Sequence, residues 1–304
     1  MPINYSWHFH KDPAVFLSDA APYLAAHPVE ANVIAVGAQR SIGRGVLAQG
    51  DHWLALARDG VGEVVGAAIR IWPVEPRPVF LAPTPPEAAV ELARVLHRRG
   101  EHPGGANGAL PAARACAEEA ARLWGGTVVE AMASRVWELG SLKPPRGVAG
   151  RLRPAGPDDA ELCLAWFNDF DSAARQQTGR TQNGAAGTGH SLQEMLDRIA
   201  DGRVSLWEND DSLVVHLTGI NWPAFGVGRI GPVYTPTEHR GHGYAAAAVA
   251  AASQLVIDQG GRVCLYTDTD NPVSNRIYAR IGFEPLGVAA DHLINDGEPS
   301  VESL

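Results

Sequence analysis

Apolar residues recur along this chain in two rhythms, every second position or every third to fourth, and the changes between them outline the elements. Residues 1–30 carry a weak helical rhythm. Residues 52–57 and 63–72 alternate like strands and are joined at Asp59-Gly60, a hairpin signal between apolar runs. Residues 77–82 read as a further strand, closed by Pro83, Pro85 and Pro86. Residues 87–96 have helical spacing, 103–108 read as a loop, 111–123 as an alanine-rich helix with proline in its first turn, and 127–139 as a strand.

Residues 141–150 (SLKPPRGVAG) join Pro-Pro to glycines and make the best linker. The pattern then starts again. Residues 150–155 alternate. A helix begins at Pro157-Asp158-Asp159, with acids in its first turn and Ala160, Cys163, Phe167 and Phe170 along one stripe. Residues 172–190 are rich in Gly, Gln, Thr and Asn and read as a mobile loop. Ser191 with Glu194 forms a capping box for the next helix. Three strands follow at 204–207, 213–220 and 226–234. After them come a loop and long helix over 236–259, a strand at 263–267, a helix at 272–281 and a strand pair after Phe283. The first half repeats this order more loosely, which reads as a duplication, with one domain over 1–147 and another over 148–304.

Composition adds that both parts are globular. Of 304 residues 45% are apolar and 19% charged, which excludes wholesale disorder. The net charge of -9 is uneven: residues 1–147 carry 14 basic and 14 acidic side chains, residues 148–304 carry 11 and 20. Neither part is basic enough for a nucleic-acid surface, so a nucleic-acid partner is not expected. Three scattered cysteines (Cys116, Cys163, Cys264) make no disulfide framework and fit a reducing cytoplasm. The start lacks a secretory pattern, and residues 245–257 are too short and too rich in alanine to span a membrane. The histidines are dispersed without ligand spacing, so no metal is expected.

Chemistry concentrates in residues 231–254, GPVYTPTEHRGHGYAAAAVAAASQ. A strand runs into Arg240-Gly241-His242-Gly243-Tyr244-Ala245 and then a helix of small residues. Glycines let the backbone turn and bare its N–H groups, and a helix start adds unpaired donors and a partial positive charge. Together they suit a phosphate or pyrophosphate, with Arg240 adding a charged hydrogen bond. A glycine turn before an ordinary helix would look alike. The second segment decides: Asn271-Pro-Val-Ser274-Asn-Arg-Ile-Tyr278-Ala-Arg-Ile-Gly282-Phe283 follows about 30 residues later.

This pair of segments resembles the GNAT superfamily of acyl-CoA-dependent N-acyltransferases. Arg240, Gly243 and Ala245 match its Arg-x-x-Gly-x-Gly/Ala loop, and the second segment matches its Asn-x-x-Ala-x-x-x-Tyr-x-x-x-Gly-Phe helix, with Ser274 in place of alanine. The resemblance covers roughly residues 150–293. It implies an α/β (α+β) fold: two tandem GNAT-like domains, each a mixed, mostly antiparallel twisted sheet flanked by helices. It further implies acetyl-CoA, or another acyl-CoA, as co-substrate, with acetyl passing to a primary amine of a small molecule by direct attack in a ternary complex.

On this resemblance the strand ending at Tyr234 splays from its neighbour at 263–267. Backbone groups of Val233, Tyr234 and Thr235 then pair with the pantetheine, and those of Gly241, His242, Gly243, Tyr244 and Ala245 hold the pyrophosphate. Asn271 and Ser274 line the pantetheine arm, and Tyr278 gives a proton to the leaving thiolate. The base is open among Glu238, His216 and Asp268, with His242 beside the phosphates and a water relay as a further route. The acceptor pocket falls on residues 168–195, with Trp207, Trp222, Phe225 and Tyr234 as walls. The acidic surface, Asp169, Asp171, Asp210 and Asp211 included, reads first as solvated and only secondarily as an attractor for a cationic amine.

The first half has prolines and Glu87 where the phosphate loop would stand, and Arg114 where the second segment has Tyr278. It therefore reads as a degenerate copy without a coenzyme site, serving in packing, in shaping the acceptor cleft or in a homodimer. Two other readings compete: amide formation from an aminoacyl-tRNA or carrier-bound acyl donor, and a non-catalytic acyl-CoA-binding module.

Overall fold

The computed structural model describes residues 4–43, 52–71, 78–178 and 190–296. It forms two compact units, one of Met1–Ser134 with Val288–Leu304 and one of Arg135–Gly287. The boundary expected at 147/148 and these units differ. Residues 135–147 group with the second unit, and the chain's last stretch groups with the first. The physical reason is strand membership: β6 (Gly126–Leu139) and β12 (Phe283–Asp296) each give residues to both units.

The first unit holds β1 (Ser6–His10), α1 (Pro13–Ala26), α2 (Asn32–Ser41), β2 (Trp53–Arg58), β3 (Val64–Arg70), β4 (Val79–Leu81), α3 (Pro86–Arg98), β5 (Gly105–Ala109) and α4 (Ala112–Trp124). Its strands run in the order β1-β2-β3-β4-β5-β12-β6. The pairs β1/β2, β2/β3, β3/β4 and β5/β12 are antiparallel and β4/β5 is parallel. Trp53, Leu81, Leu92, Leu96, Cys116 and Ile294 meet in its core. The expected hairpin at Asp59-Gly60 is present, with Asp59 Oδ1 accepting from the Val61 and Glu63 amides at 3.0 Å.

Residues 105–109 form a strand, not the expected loop. Gly-Ala-Asn-Gly-Ala has little strand propensity, but both its neighbours approach closely. A side chain at Gly105 would strike the His292 carbonyl, and one at Gly108 the Leu81 carbonyl. Here small residues are what tight pairing requires.

The second unit holds β7 (Arg151–Pro154), a 3-10 turn (Pro157–Asp159), α5 (Ala160–Thr178), α6 (Leu192–Ala200), β8 (Val204–Glu208), β9 (Val214–Ala224) and β10 (Val227–Tyr234). A second 3-10 turn (Thr237–His239), α7 (Tyr244–Asp258), β11 (Arg262–Asp268) and α8 (Pro272–Ile281) complete it. Strand order is β6-β11-β10-β9-β8-β7, antiparallel over β7/β8, β8/β9 and β9/β10 and parallel at β10/β11. The α5 helix enters the stretch expected as a mobile loop, of which residues 179–189 lie outside the described residues. After Phe283 one long strand replaces the expected pair, because its two ends serve two units.

The sheet of the second unit is covered on both faces. Cys163, Phe167, Met195 and Ile199 of α5 and α6 pack on Leu206 and Leu217. Val249 and Val256 of α7, with Tyr278 and Ile281 of α8, pack on Ile220, Ile230, Val263 and Leu265. Alternate strand residues thus feed opposite cores, as a period of two demands. The start of α5 is pinned by Arg153, whose guanidinium donates to both Asp159 oxygens at 2.7 and 3.0 Å. That pairing holds the Asp159 carboxyl below its ordinary range. The capping box at α6 is present: Ser191 Oγ accepts from the Glu194 amide at 3.2 Å, and Glu194 Oε2 from the Ser191 amide at 2.8 Å. Among the described residues no helix is long and apolar enough to cross a membrane.

Candidate acyl-CoA site

The sheet of the second unit opens along one seam. Parallel pairing of β10 with β11 covers Val227↔Arg262, Gly228↔Val263 and Arg229↔Cys264 and ends there, although β10 continues to Tyr234 and β11 to Asp268. On its other side β10 stays paired with β9, through Val233↔Thr218 and Tyr234↔Leu217, with register shifts between Val227 and Arg229 and between Ile230 and Val233. Pro232 stands just past the parting and has no N–H to give. The splay expected from the resemblance is therefore present, and it leaves backbone beyond Arg229 facing a wedge instead of a strand.

The mouth of the wedge leads to the loop before α7. Gly241 and Gly243 have φ of +85° and +82°, a region open to glycine at little cost. Gly243 is the N-cap of α7, and no side chain caps that helix. By contrast Ser191 caps α6 and Asn271 caps α8. The first-turn amides of α7 thus point outward with the positive end of the helix dipole behind them. Arg240 Nε donates to the Thr235 carbonyl at 3.0 Å and ties this loop to the end of β10. The exposed His242 ring stacks on Tyr244 with centroids 5.4 Å apart.

Tyr278 is 7% exposed, in the apolar cluster that also holds Leu265 of β11 and borders Val233 of β10, the two strands that part. Its ring meets Phe283 edge-on at 6.0 Å. No hydrogen bond reaches its hydroxyl within the described residues. Burial pushes the phenol's pKa up, so it keeps its proton at neutral pH.

Asn271 serves as a cap, its side chain accepting from the Ser274 amide at 3.1 Å. Asn275, passed over by the motif reading, does more to fix this end. It accepts from Thr267 Oγ1 at 2.6 Å and donates to the carbonyls of Asp268 and Thr269, while Trp137 Nε1 donates to Thr267 Oγ1 at 2.8 Å. Its signal was present, an amide one turn into a helix that begins right after a strand.

The base candidates separate. His216 is fully buried, with Nδ1 2.6 Å from Thr235 Oγ1 and Nε2 2.7 Å from Thr218 Oγ1. Burial pulls its pKa down to about 3, so it is neutral and engaged on both nitrogens. Asp268 Oδ1 accepts from the Asp270 amide at 2.8 Å, the turn-forming role. Glu238 is exposed on the loop before Arg240.

Of the expected acceptor walls, Trp207 donates to the Ala149 carbonyl and packs with Ala247 and Ala248 of α7, and Trp222 donates to the Asp201 and Gly202 carbonyls. Phe225 sits in the β9–β10 turn at φ +50°. Tyr234 meets Trp166 of α5 at 6.0 Å. Among the described residues no group of three His, Cys, Asp or Glu side chains could hold a metal ion.

Residues 215–290, from β9 through most of β12, match the family described as FR47-like protein. No curated protein sequence matches the chain. Three solved structures share its fold over nearly its whole length. A Drosophila protein superposes at a TM-score of 0.63 with 12% identity, over 96% of this chain and 99% of its own. A GCN5-related N-acetyltransferase of Sphaerobacter thermophilus gives 0.57 with 16% identity, over 98% of both chains. A tandem GNAT protein from the clavulanic acid biosynthesis pathway gives 0.54 with 14% identity, over 98% and 99%. With the same strand order in both units, the chain has the fold of tandem GNAT proteins, and its residues 215–290 match the FR47-like family.

Proposed function

We propose that the second unit is an acyl-CoA-dependent N-acyltransferase that passes an acetyl group from acetyl-CoA to a primary amine, and that the first unit binds no coenzyme. The observation that carries this is the parting of β10 from β11 beside an uncapped α7. That pairing of features fits a ligand with amides at one end and a pyrophosphate at the other. Val233, Tyr234 and Thr235 would offer strand edge to the pantetheine. The amides of Gly241 to Ala245 would take the pyrophosphate, with Asn271 and Ser274 beside the arm.

The chemistry follows from the same groups. The amine nitrogen attacks the thioester carbon, and the oxyanion needs a donor, which a backbone N–H freed by the splay supplies. The C–S bond then breaks and the thiolate takes the Tyr278 proton, while the amine's surplus proton leaves. With His216 and Asp268 engaged elsewhere, that proton goes to water or to Glu238. The first unit supports the assignment by contrast. Its parallel pair β4/β5 stays zipped to the last residue of β4, at Leu81↔Gly108, and prolines follow.

The test is an amine panel with acetyl-CoA, read as released thiol, beside calorimetric titration with acetyl-CoA. Thiol release with at least one amine and one bound equivalent per chain are expected. Binding without turnover of any amine would favour a non-catalytic module. Activity that survives removal of all CoA thioesters would favour another acyl donor.

A further inference from the structure

The acceptor face of the second unit carries a charge opposite to its surface. The groups assigned to the coenzyme belong to the seam and to the first turn of α7, which packs on one face of the sheet. An amine that meets the acyl carbon in the seam comes from the other face, the one under α5 and α6; this step rests on the function proposed above. That face presents Arg229 of β10, at the last paired position before the strands part, and Tyr266 two residues past its partner Cys264. The Arg229 guanidinium lies 5.9 Å from the Tyr266 ring centre. Its Nε is buried without a hydrogen-bond partner among the described residues. Arg198 of α6 stands 5.3 Å over the Phe167 ring. Burial pulls the Arg198 pKa down, the Glu194 carboxylate opposes this, and the positive charge of Arg229 is a further, smaller cause in the same direction as burial.

Among the described residues no carboxylate forms an ion pair with either one. Elsewhere the chain pairs its arginines readily: Arg153 with Asp159, Arg94 and Arg122 with Glu119, Arg262 with Glu138. Two partly buried guanidinium groups on one face of the sheet, neither in an ion pair among the described residues, in a chain of net charge -9 call for an anion. Both rest on aromatic faces, which orients them without neutralising them.

We propose that Arg229 and Arg198 form an anion subsite, and that the acceptor is therefore an amine that also bears a carboxylate or phosphate group. The anion seats on the guanidinium pair while the amine reaches forward to the seam. The net acidity of this half, which on sequence would suit a cationic amine, belongs to its outer surface.

Matched acceptors test the proposal. Amino acids are compared with their amides, and phosphoethanolamine with ethanolamine, each with acetyl-CoA and thiol release. The expected result is a preference for the anionic partner of roughly ten- to a hundred-fold in kcat/KM, the range of a charge-assisted hydrogen-bonded pair. Whichever anionic series leads, carboxylate or phosphate, identifies the group. In Arg229→Gln and Arg198→Gln that preference falls toward one, mostly through KM. Arg198 lies on an outer helix, so its variant serves even where Arg229→Gln folds poorly. Equal use of anionic and neutral amines, or a preference unchanged in both variants, overturns the subsite and leaves acyl transfer standing. If no amine is turned over although acetyl-CoA binds, acyl transfer falls. The subsite is then judged by calorimetry with the carboxylate and phosphate amines themselves. Binding that is lost in Arg198→Gln supports it, and no binding to the unmodified protein overturns it.

Discussion

Tyr278, read from the sequence as the acid, and His216, read as one of the base candidates, show how burial acts on two groups in opposite ways. Each is buried, and in each the charged form is penalised. For a phenol this keeps the proton that the proposed acid role requires. For an imidazole it removes the basicity it would need. Tyr278→Phe should lower turnover about a hundredfold, as loss of a general acid does, with the acetyl-CoA dissociation constant unchanged. Unchanged turnover would assign the thiolate's proton to water. His216 makes a separate prediction about stability. Its pKa is about 3 in the fold against 6.5 ordinarily, so between those values the unfolded chain binds a proton that the folded chain refuses. Its contribution is complete above pH 6.5 and is lost as pH falls toward 3, at about 1.4 kcal/mol per pH unit. Urea unfolding from pH 7.5 to 4.5 should show a shallower loss of midpoint in His216→Gln than in the parent. Equal slopes would mean that the ring is solvated in solution.

The loop before α7 and the strand β5 depend on glycine for different reasons. A side chain at Gly241 would meet nothing within 4 Å, so only its φ of +85° penalises substitution. Gly241→Val should cost about 1–2 kcal/mol of loop conformation and weaken acetyl-CoA binding roughly tenfold, with little change in melting temperature. Binding as tight as the parent's would show that the loop can hold the pyrophosphate in another conformation. Gly108→Ala would push into the Leu81 carbonyl, in addition to the strain of a φ of +117°, and should lower the melting temperature. These cases mark what was legible. Helix caps, the Asp59-Gly60 hairpin and the Arg240–Ala245 loop rest on local chemistry and could be read directly. β5 could not, since its glycines serve neighbours far off in sequence. Nor could the roles of His216 and Asp268, which turned on Thr235, Thr218 and the Asp270 amide. Arg229 did carry a sign, a charge within the run Val-Gly-Arg-Ile-Gly, but that its buried Nε meets no partner among the described residues is visible only in three dimensions.

The division of the chain at residue 147 and the two compact units differ in where residues 135–147 and the last stretch belong. Residues 135–147 bring Trp137 to the Thr267 hydroxyl and to the core of the second unit, and Glu138 to Arg262. Residues 289–293 pair with β5, and Ile294 enters the first unit's core. A fragment of 148–304 should therefore be insoluble or lack the cooperative melt of the full chain, as followed by circular dichroism. A stable, active fragment would show that the exchanged stretches are dispensable. Synthesis on the ribosome gives this connectivity a temporal meaning. All of residues 135–287 emerge before 288–296, so the second unit has its complete set of strands while the first, although made earlier, still waits for one. Nascent domains ordinarily fold in the order of their synthesis. Here the part that emerges later can close first, and the older part stays open at β5 until residues 288–296 have emerged.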